Sequence, residues 1–267
     1  MIELDKMRTG LAEGEFFLEY QPIISLADGR CIGAEALIRW RRESGIVPPD
    51  DFIPLAENTP LSGLITYWVI DTIGEELGDW LRANPDAHIS INVPPEILGR
   101  GGMEYAASKS GLLDLASQLI LEITERGVPD PMGVEALNNI WGMKVRIALD
   151  DVTLVGGANL AILSRCNFSV IKLDKTLVAQ IDPSCPAPDW LEGITAMLRT
   201  SRIVVIAEGV ETEQQLMTLR ESGIQAAQGF YFSRPIPAAA FMDYRLKTQR
   251  SVPNPMPRLD WLALAIN

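Results

Sequence analysis

The sequence predicts one α/β barrel, in which a mostly parallel sheet closes on itself and helices cover its outer face. Short β-branched or apolar runs alternate with longer segments of helical spacing, a pattern typical of parallel strands joined by helices. The chain has 267 residues, and single α/β barrels commonly reach about 250 residues. Eight strands in this length favour closure into a barrel over an open, doubly wound sheet.

Eight runs are predicted as strands. The first two are joined by the turn residues Ala27–Arg30 and resemble a hairpin, so we expect one antiparallel strand. The predicted strands are Phe16–Leu26, Cys31–Trp40, His88–Val93, Leu119–Thr124, Val145–Asp151, Val170–Asp174, Ile203–Val210 and Ala226–Phe230. The predicted helical segments include Asp50–Arg82, Met132–Trp141, Trp190–Arg199 and Thr212–Glu221.

The whole chain, residues 1–267, is predicted to form a single domain, with a core at about 11–244 and a tail at 245–267. No stretch resembles an interdomain linker, and no internal repeat is evident. The tail contains three prolines and then the apolar run Leu259–Ile266. We expect a terminal helix there, packed on the barrel or on a second subunit.

The composition indicates a globular protein that does not bind polyanions generally. Hydrophobic residues make up 47% and charged residues 22%, which argues against disorder. The net charge is −12, from 35 acidic and 23 basic residues. Direct binding to DNA, RNA or anionic lipid is therefore not expected, because it requires a basic face. A small phosphate ester could still bind where metals or local cations attract it.

The cysteines and the apolar runs predict a cytoplasmic location. Cys31, Cys166 and Cys185 are odd in number and widely spaced, which favours apolar fillers in a reducing compartment over a disulfide framework. The first ten residues contain no apolar core of a signal peptide. No apolar stretch approaches the roughly 20 residues of a membrane helix.

Polar residues suited to metal binding lie at or near the ends of the predicted strands. The carboxyl ends of parallel barrel strands converge on one face, where active sites are found. We therefore expect eight side chains to point into one bowl. They are Glu35, Asn92, Glu122, Asp150, Asp151, Lys172, Glu208 and Gln228.

Electrostatics indicates what this bowl must contain. Two carboxylates about 6 Å apart repel by about 3 kcal/mol at an effective dielectric near 20, and five carboxylates would meet here. Lys172 alone cannot offset that repulsion, so protons or divalent cations must. Carboxylates with an asparagine carbonyl select Mg²⁺, Mn²⁺ or Ca²⁺ over zinc. The alternative is that the acids are salt-bridged or exposed at loop edges.

Two divalent ions about 3.5–4 Å apart are a known device for phosphodiester hydrolysis. Asp150 and Asp151 are adjacent and would project differently along a strand, so each could serve one ion. Lys172 could orient or help to deprotonate the attacking water, or could only pair with an acid. His88 is the one histidine and begins a strand, at the wrong end for this site. We expect it to be incidental, which argues against Ser-His-Asp catalysis.

Nine short motifs in order resemble the EAL family of bacterial cyclic-di-GMP phosphodiesterases, from about Leu11 to Tyr244. They are YQPI (Tyr20–Ile23), EALIR (Glu35–Arg39), FIPLAE (Phe52–Glu57), INV (Ile91–Val93), LEITE (Leu121–Glu125), LDD (Leu149–Asp151), IKLD (Ile171–Asp174), AEGVE (Ala207–Glu211) and QGF (Gln228–Phe230).

The resemblance implies a modified TIM (β/α)8 barrel with an antiparallel second strand. It implies hydrolysis of cyclic di-GMP to linear pGpG with two Mg²⁺ or Mn²⁺ ions, and inhibition by Ca²⁺. Catalysis would depend on Glu35, Asp151, Lys172 and Glu208. The motifs imply that the first ion is held by Glu35, Asn92, Glu122 and Asp150, and the second by Asp151 and Glu208. They imply that Lys172 holds the water and that Glu125 anchors the loop after Asp151. The residues implied to contact the substrate are Gln21, Leu37, Arg39, Gln228 and Pro235.

One departure from the family pattern leaves the activity open. The family usually reads DFGTGYSSL from the second aspartate, whereas here Asp151 is followed by VTLVGGANL, Val152–Leu160, which is one residue longer. In the family this loop couples metal binding, substrate binding and dimerisation. We therefore consider an active phosphodiesterase, a cyclic-di-GMP receptor with weak or no turnover, and a scaffold with neither property. A homodimer, and fusion to a sensor in a longer protein, are further expectations from the family.

Overall fold

The barrel closes through a sheet of nine strands in the computed structural model, which describes residues 3–124, 130–139, 144–153 and 166–251. The first strand pairs with the second and with the last, so eight strands close the barrel and the short third strand extends one edge. The strands are β1 (Phe16–Ser25), β2 (Cys31–Arg42), β3 (Gly45–Val47), β4 (His88–Asn92), β5 (Leu119–Thr124), β6 (Arg146–Val152), β7 (Val170–Leu173), β8 (Val204–Ala207) and β9 (Ala226–Ala227).

The barrel has one antiparallel strand, as predicted, but it is the first strand and not the second. β1 runs antiparallel to both β2 and β9, whereas β2 runs parallel to β4. The turn between β1 and β2 explains the difference. Gly29 adopts φ 74° and its N–H donates to the Ser25 carbonyl at 2.8 Å, which closes a connection too short to join parallel strands.

All eight predicted strands are present, but several end earlier than predicted. β8 ends at Ala207 and β9 at Ala227, before the polar residues Glu208 and Gln228. These two residues therefore lie just beyond the strand ladder, whereas Glu122, Asp150 and Lys172 lie within their strands. The extra strand β3 was not predicted, because its three residues form too short a run to indicate a strand.

The predicted helical segment Asp50–Arg82 is two helices. α2 spans Pro49–Ala56 and α3 spans Pro60–Ala83. Asn58 separates them in a left-handed conformation with φ 57°. Thr59 then caps α3, since its side chain accepts a hydrogen bond from the Leu61 N–H, and a proline stands at the first helical position.

The other three predicted helices are found, and four further helices were missed. Three of the missed helices have nine residues or fewer, and the last, which packs on the β1–β2 hairpin, is only weakly amphipathic. The remaining helices are α1 (Leu4–Ala12), α4 (Gly102–Lys109), α5 (Pro131–Asn139), α6 (Lys175–Val178), α7 (Asp189–Thr200), α8 (Glu213–Glu221) and α9 (Ala238–Arg250), with short 3₁₀ helices at Pro95–Ile97 and Leu113–Gln118. Part of the predicted segment Met132–Trp141 and the predicted tail helix lie outside the described residues.

The core has two parts, one outside the sheet and one within the barrel. The outer part packs helices such as α3 and α9 against the strands, with Phe241 fully buried. A smaller apolar cluster fills the barrel beneath its mouth. Its members are Ile23, Ile32, Ile120, Ala148, Val170, Val204, Ile206 and Ala226.

The histidine and two of the cysteines are core residues. His88 is buried at the amino end of β4, where burial and the nearby Arg146 lower its pKa to about 3, so it is neutral. Cys31 and Cys166 are buried, but Cys185 is exposed and is not the apolar filler that was expected. None of the described helices combines the length and hydropathy that a membrane crossing requires.

Close packing of β2 on β4 depends on Gly33. A Cβ built there would lie 2.2 Å from the His88 carbonyl oxygen. We expect Gly33→Ala to lower the unfolding free energy by about 3 kcal/mol or more, because backbone must move to relieve the clash. Thermal unfolding followed by circular dichroism measures the change.

Gly193→Ala is the matched control for this prediction. Gly193 lies inside α7, and a Cβ added there would point into open space. Alanine there should leave the melting temperature unchanged or raise it, since alanine favours a helix by about 1 kcal/mol over glycine. Equal melting temperatures for the two variants would contradict the packing argument.

Candidate metal centre

The Lys172 ammonium lies among four carboxylates at the mouth of the barrel. Its Nζ is 2.6 Å from Glu208 Oε1, 2.8 Å from Glu122 Oε2, 3.2 Å from Glu35 Oε2 and 3.3 Å from Asp150 Oδ1. The lysine side chain is only 1% exposed. One cation therefore serves four buried or nearly buried acids.

The strands bring these groups together because each contributes an inward-facing side chain at the same end of the barrel. Asn92 ends β4 and is in register with Glu122 on the neighbouring β5. Glu35 lies in the middle of β2 and not at its end, because β2 continues beyond the barrel to pair with β3. Glu208 and Gln228 follow β8 and β9 directly.

Glu35 is the most fully hydrogen-bonded acid of the group. Its Oε1 accepts from Asn92 Nδ2 at 2.9 Å, and its Oε2 accepts from Gln228 Nε2 at 2.6 Å and from Lys172 Nζ at 3.2 Å. Gln228 Nε2 also donates to Glu208 Oε1 at 3.1 Å. The two amide side chains thus fix the orientation of Glu35.

Gly229 allows Gln228 to reach this position. Its φ is 154°, and an added Cβ would lie 2.2 Å from the Val210 carbonyl oxygen. The backbone after β9 therefore passes tightly against the segment that carries Glu208. Two backbone hydrogen bonds join these two segments. The Val210 N–H donates to the Gln228 carbonyl at 3.1 Å, and the Gln228 N–H donates to the Ala207 carbonyl at 2.9 Å.

Several buried oxygens at the centre accept no hydrogen bond within the described residues. They include both carboxylate oxygens of Glu122, Oδ1 of Asp150 and Oε1 of Gln228. Lys172 is close enough to Glu122 and Asp150 for ion pairing, but not with the geometry of a hydrogen bond. Buried acceptors without donors are costly, by about 1–3 kcal/mol each. Oxygen ligands of this kind fit a hard divalent cation.

Asp150 and Asp151 both reach the centre, although they are adjacent on β6. Carboxylate oxygens of Asp150, Asp151 and Glu208 lie within 4.8 Å of one another. Successive side chains of a regular strand point to opposite faces. Here Asp151 adopts φ 56°, and the register with β7 shifts between Leu149 and Val152. This irregularity turns the second aspartate towards the first.

The acids of the centre have divergent pKa values. Burial raises the pKa of Glu35, but Lys172 and hydrogen bonds from the amides outweigh it and lower the value overall. Burial and the charge of Glu35 raise the pKa of Glu122 well above its usual range. Burial also raises the pKa of Asp150, and raises that of Glu208 to about 8. The surrounding acids outweigh burial and hold the Lys172 pKa well above its ordinary value.

These values show that one ammonium does not neutralise the centre. Five carboxylates and one ammonium carry a formal charge of −4 when all are ionised. Two carboxylates no more than 4.8 Å apart repel by about 3.5 kcal/mol or more at an effective dielectric near 20. Without another cation, protons must remain on some of the acids. Glu35, Asn92, Glu122, Asp150, Asp151 and Glu208 could together hold divalent cations that replace those protons.

The residues expected to face the substrate lie beside the metal centre. Gln21 on β1 is in register with Glu35, and alternation along β2 places Leu37 and Arg39 on the same face as Glu35. Pro235 precedes Ile236, which forms a backbone bridge to Tyr20 on β1. Glu125 and residues 154–160 of the loop after Asp151 lie outside the described residues.

One polar residue near the site was missed in the sequence. Glu19 lies two residues before Gln21 on β1, and its Oε2 accepts a hydrogen bond from Arg39 Nε at 2.9 Å. The two-residue repeat of a strand could have predicted that Glu19 and Gln21 share a face. Its contact with Arg39 depends on the register between β1 and β2, which the sequence does not specify.

Comparison with known proteins finds the same family throughout. The sequence profile of the EAL domain matches residues 4–235. The probable cyclic di-GMP phosphodiesterase PdeB of Escherichia coli K12 is 32% identical over 246 residues, covering 89% of this chain and 46% of PdeB. The cyclic di-GMP phosphodiesterase NbdA of Pseudomonas aeruginosa PAO1 is 32% identical over 248 residues, covering 90% of this chain. This chain spans 46% of PdeB and 31% of NbdA.

Solved structures show the same similarity. The PaMucR phosphodiesterase in complex with c-di-GMP superposes with a TM-score of 0.78 at 32% identity, covering 89% of this chain and 98% of that one. The EAL enzyme Bd1971, bound to cAMP and cyclic di-GMP, gives a TM-score of 0.77 at 29% identity and covers 90% of this chain and 67% of that one. The modified TIM barrel is therefore the fold of this chain.

The buried oxygens that lack hydrogen-bond donors predict that the centre binds a divalent cation. Mg²⁺ or Mn²⁺ at 100 times its dissociation constant should raise the melting temperature of metal-free protein by about 5–10 °C at pH 8. Glu122→Gln replaces an acid that resists ionisation with a neutral amide. Without metal this variant should melt at or above the wild-type temperature, and its shift with metal should fall below about 2 °C.

Glu76→Gln is the control for Glu122→Gln. Glu76 is an acid outside the centre, where it accepts a hydrogen bond from the Tyr20 hydroxyl at 2.7 Å. This variant should keep the full metal-dependent shift in differential scanning fluorimetry. A metal shift in Glu122→Gln equal to that of the wild type would show that the ions bind elsewhere.

The raised acid pKa values also predict how the stability of metal-free protein depends on pH. Glu208 holds its proton to about pH 8 when folded, whereas an unfolded glutamate releases it near 4.5. The stabilisation is complete below about pH 4.5 and is lost as the pH rises towards 8, because unfolding then releases a proton. Neutral His88 acts in the opposite sense, because its contribution to stability grows as the pH rises to about 6.5. The net fall in melting temperature between pH 5 and pH 8 should therefore be about 5 °C.

Glu208→Gln should reduce this pH dependence, since the amide does not titrate, and the raised pKa values of Glu122 and Asp150 should account for what remains. Thermal melts in chelator-treated buffer at constant ionic strength measure both proteins. Saturating Mg²⁺ should likewise flatten the wild-type profile, because the ions replace protons at the acids. A wild-type melting temperature that rises from pH 5 to pH 8 without metal would contradict this account.

Proposed function

The chain belongs to the EAL domain family, and on that premise we propose that it is a metal-dependent phosphodiesterase that hydrolyses cyclic di-GMP to linear pGpG. The main support is the cluster of five carboxylates around one buried lysine at the barrel mouth. The names of PdeB and NbdA, and the ligand of the PaMucR complex, support the substrate.

The proposed ligands divide into two overlapping sets. Glu35, Asn92, Glu122 and Asp150 would hold one Mg²⁺ or Mn²⁺, and Asp151 and Glu208 would hold a second. When bound, two such ions would supply hydroxide near neutral pH and stabilise the charge that develops on the attacked phosphate. The oxygen-only ligands and the buried acceptors without donors are what support these assignments.

Lys172 is proposed to hold the attacking water by donating a hydrogen bond to it. The raised pKa of Lys172 supports a donor role over a role as the base, because the ammonium keeps its proton at neutral pH. The water oxygen forms a bond to phosphorus as one phosphorus–oxygen ester bond breaks, which opens the cyclic dinucleotide. Overall, the water supplies a hydroxyl group to phosphorus and a proton to the leaving ester oxygen.

The β1–β2 face beside the metal centre is proposed to bind the rest of the substrate. Arg39 would contact a phosphate, since its planar guanidinium matches phosphate oxygens. Gln21 and Leu37 on the same face, with Gln228 and Pro235 nearby, would contact the nucleotide. Leu37 is partly buried and offers an apolar surface.

A second candidate function is a receptor that binds cyclic di-GMP with weak or no turnover. The observation that favours it is the altered segment Val152–Leu160, of which only Val152 and Thr153 are described. A scaffold without either property is the third hypothesis. A single domain over 1–267, a homodimer, a cytoplasmic location and the absence of DNA or RNA binding stay predictions.

Hydrolysis of cyclic di-GMP is the decisive test between these functions. Wild-type protein with Mg²⁺ or Mn²⁺ should release pGpG, measured by chromatography. Glu35→Ala should lower turnover about 10³-fold or more, because it removes a proposed metal ligand, while folding is retained. Added Ca²⁺ should inhibit by replacing the smaller ion with one of looser geometry.

Glu13→Ala controls for the loss of an acid, since Glu13 is exposed at the end of α1. It should hydrolyse at the wild-type rate. Well-folded wild-type protein that produces no pGpG with either metal would reject the phosphodiesterase. Micromolar binding of cyclic di-GMP in calorimetry without turnover would instead support the receptor, and failure to bind nucleotide and metal would support the scaffold.

A further inference from the structure

The β1–β2 ribbon extends the barrel face on which the metal centre lies. Its register pairs Gln21 with Glu35, Glu19 with Leu37, and Phe17 with Arg39. Because strand side chains alternate, Glu19 shares one face with Glu35, Leu37 and Arg39. At about 3.4 Å per residue, Arg39 is roughly 14 Å along β2 from Glu35.

Glu19 holds the guanidinium of Arg39 by one edge. Arg39 Nε donates to Glu19 Oε2 at 2.9 Å, and its Nη1 donates to the Ile38 carbonyl at 3.0 Å. The two side chains are 15% and 24% exposed, so this pair is more sheltered than an ordinary surface ion pair. Within the described residues these contacts use two of the five guanidinium N–H groups, which leaves Nη2 for another acceptor.

We propose that Glu19 is a positioning residue, which orients Arg39 so that its remaining N–H groups face a phosphate of the substrate. The proposal rests on the proposed function, because a cyclic dinucleotide supplies that phosphate. Bidentate recognition requires a fixed guanidinium plane. A freely rotating arginine would lose more conformational freedom on binding and would bind the phosphate less tightly.

Glu19 also has an opposing effect, since its negative charge lies beside the site for an anion. Two substitutions separate orientation from repulsion. Glu19→Gln keeps an oxygen that accepts from Arg39 Nε and removes the charge. Glu19→Ala removes both the acceptor and the charge, so only this variant frees the guanidinium.

The two variants should therefore differ in their effect on KM. Glu19→Ala should raise KM for cyclic di-GMP about fivefold, because a hydrogen bond to a charged group is lost. Glu19→Gln should leave KM unchanged or lower it. The kcat of both variants should stay within about twofold of wild type, because Glu19 does not contact the reacting atoms. Steady-state kinetics with Mg²⁺ measures the KM and the kcat of each variant.

Glu15→Ala is the matched control, an acid in another ion pair of the same ribbon. Glu15 accepts from Arg42 Nη1 at 2.9 Å and from Trp40 Nε1 at 2.8 Å. Its loss should lower the melting temperature and leave KM unchanged. In an Arg39→Ala background, Glu19→Ala should not raise KM further, since its effect passes through the arginine.

The results also distinguish failure of this proposal from failure of the proposed function. Wild-type turnover combined with an unchanged or lowered KM in Glu19→Ala would overturn the positioning role alone. A rise in KM of equal size in Glu19→Ala and Glu15→Ala would indicate a general loss of ribbon structure, and would also overturn it. Wild-type protein that neither binds nor hydrolyses cyclic di-GMP would remove both proposals.

Discussion

The contact between one buried ammonium and four carboxylates constrains the rest of the site. Lys172 is 1% exposed, and the acids around it are too close for all of them to ionise without further positive charge. Removing a buried charge from such a network leaves its partners uncompensated, which typically costs several kcal/mol. Without further positive charge, some of the acids at the barrel mouth must therefore keep their protons.

The apolar cluster within the barrel explains why this constraint is strong. Ile120, Val170, Ile206 and their neighbours lie beneath the charged groups and keep water from reaching them from below. A low local dielectric strengthens both the repulsion between acids and their attraction to cations. The charge of Lys172, together with the amides of Gln228 and Asn92, then holds one acid, Glu35, in its ionised form. The fold thus sets the pKa values of the acids unequally.

Much of the fold and the site was predictable because both depend on short-range patterns. Alternation of apolar runs predicts the eight barrel strands, and the convergence of parallel strand ends predicts that Glu122, Asp150 and Lys172 meet. Other features depend on contacts between distant residues. The left-handed conformation of Asp151 turns two adjacent acids to one side, and its sequence signal is weak, because aspartate adopts this conformation more often than most residues but still rarely. The contact of Glu19 with Arg39 requires the register of β1 and β2.

The antiparallel direction of β1 explains why the register between β1 and β2 affects the site. In a parallel strand, only residues near the carboxyl end lie at the barrel mouth. Because β1 runs antiparallel to β2, residues from its amino half and its middle lie there instead, with Glu19 beside Leu37 and Gln21 beside Glu35. The two strands also extend beyond the barrel as a ribbon, since β2 continues to Arg42. The antiparallel β1 thus adds the polar residues Glu19 and Gln21 next to the metal centre. Eight parallel strands of the same length would not place them there.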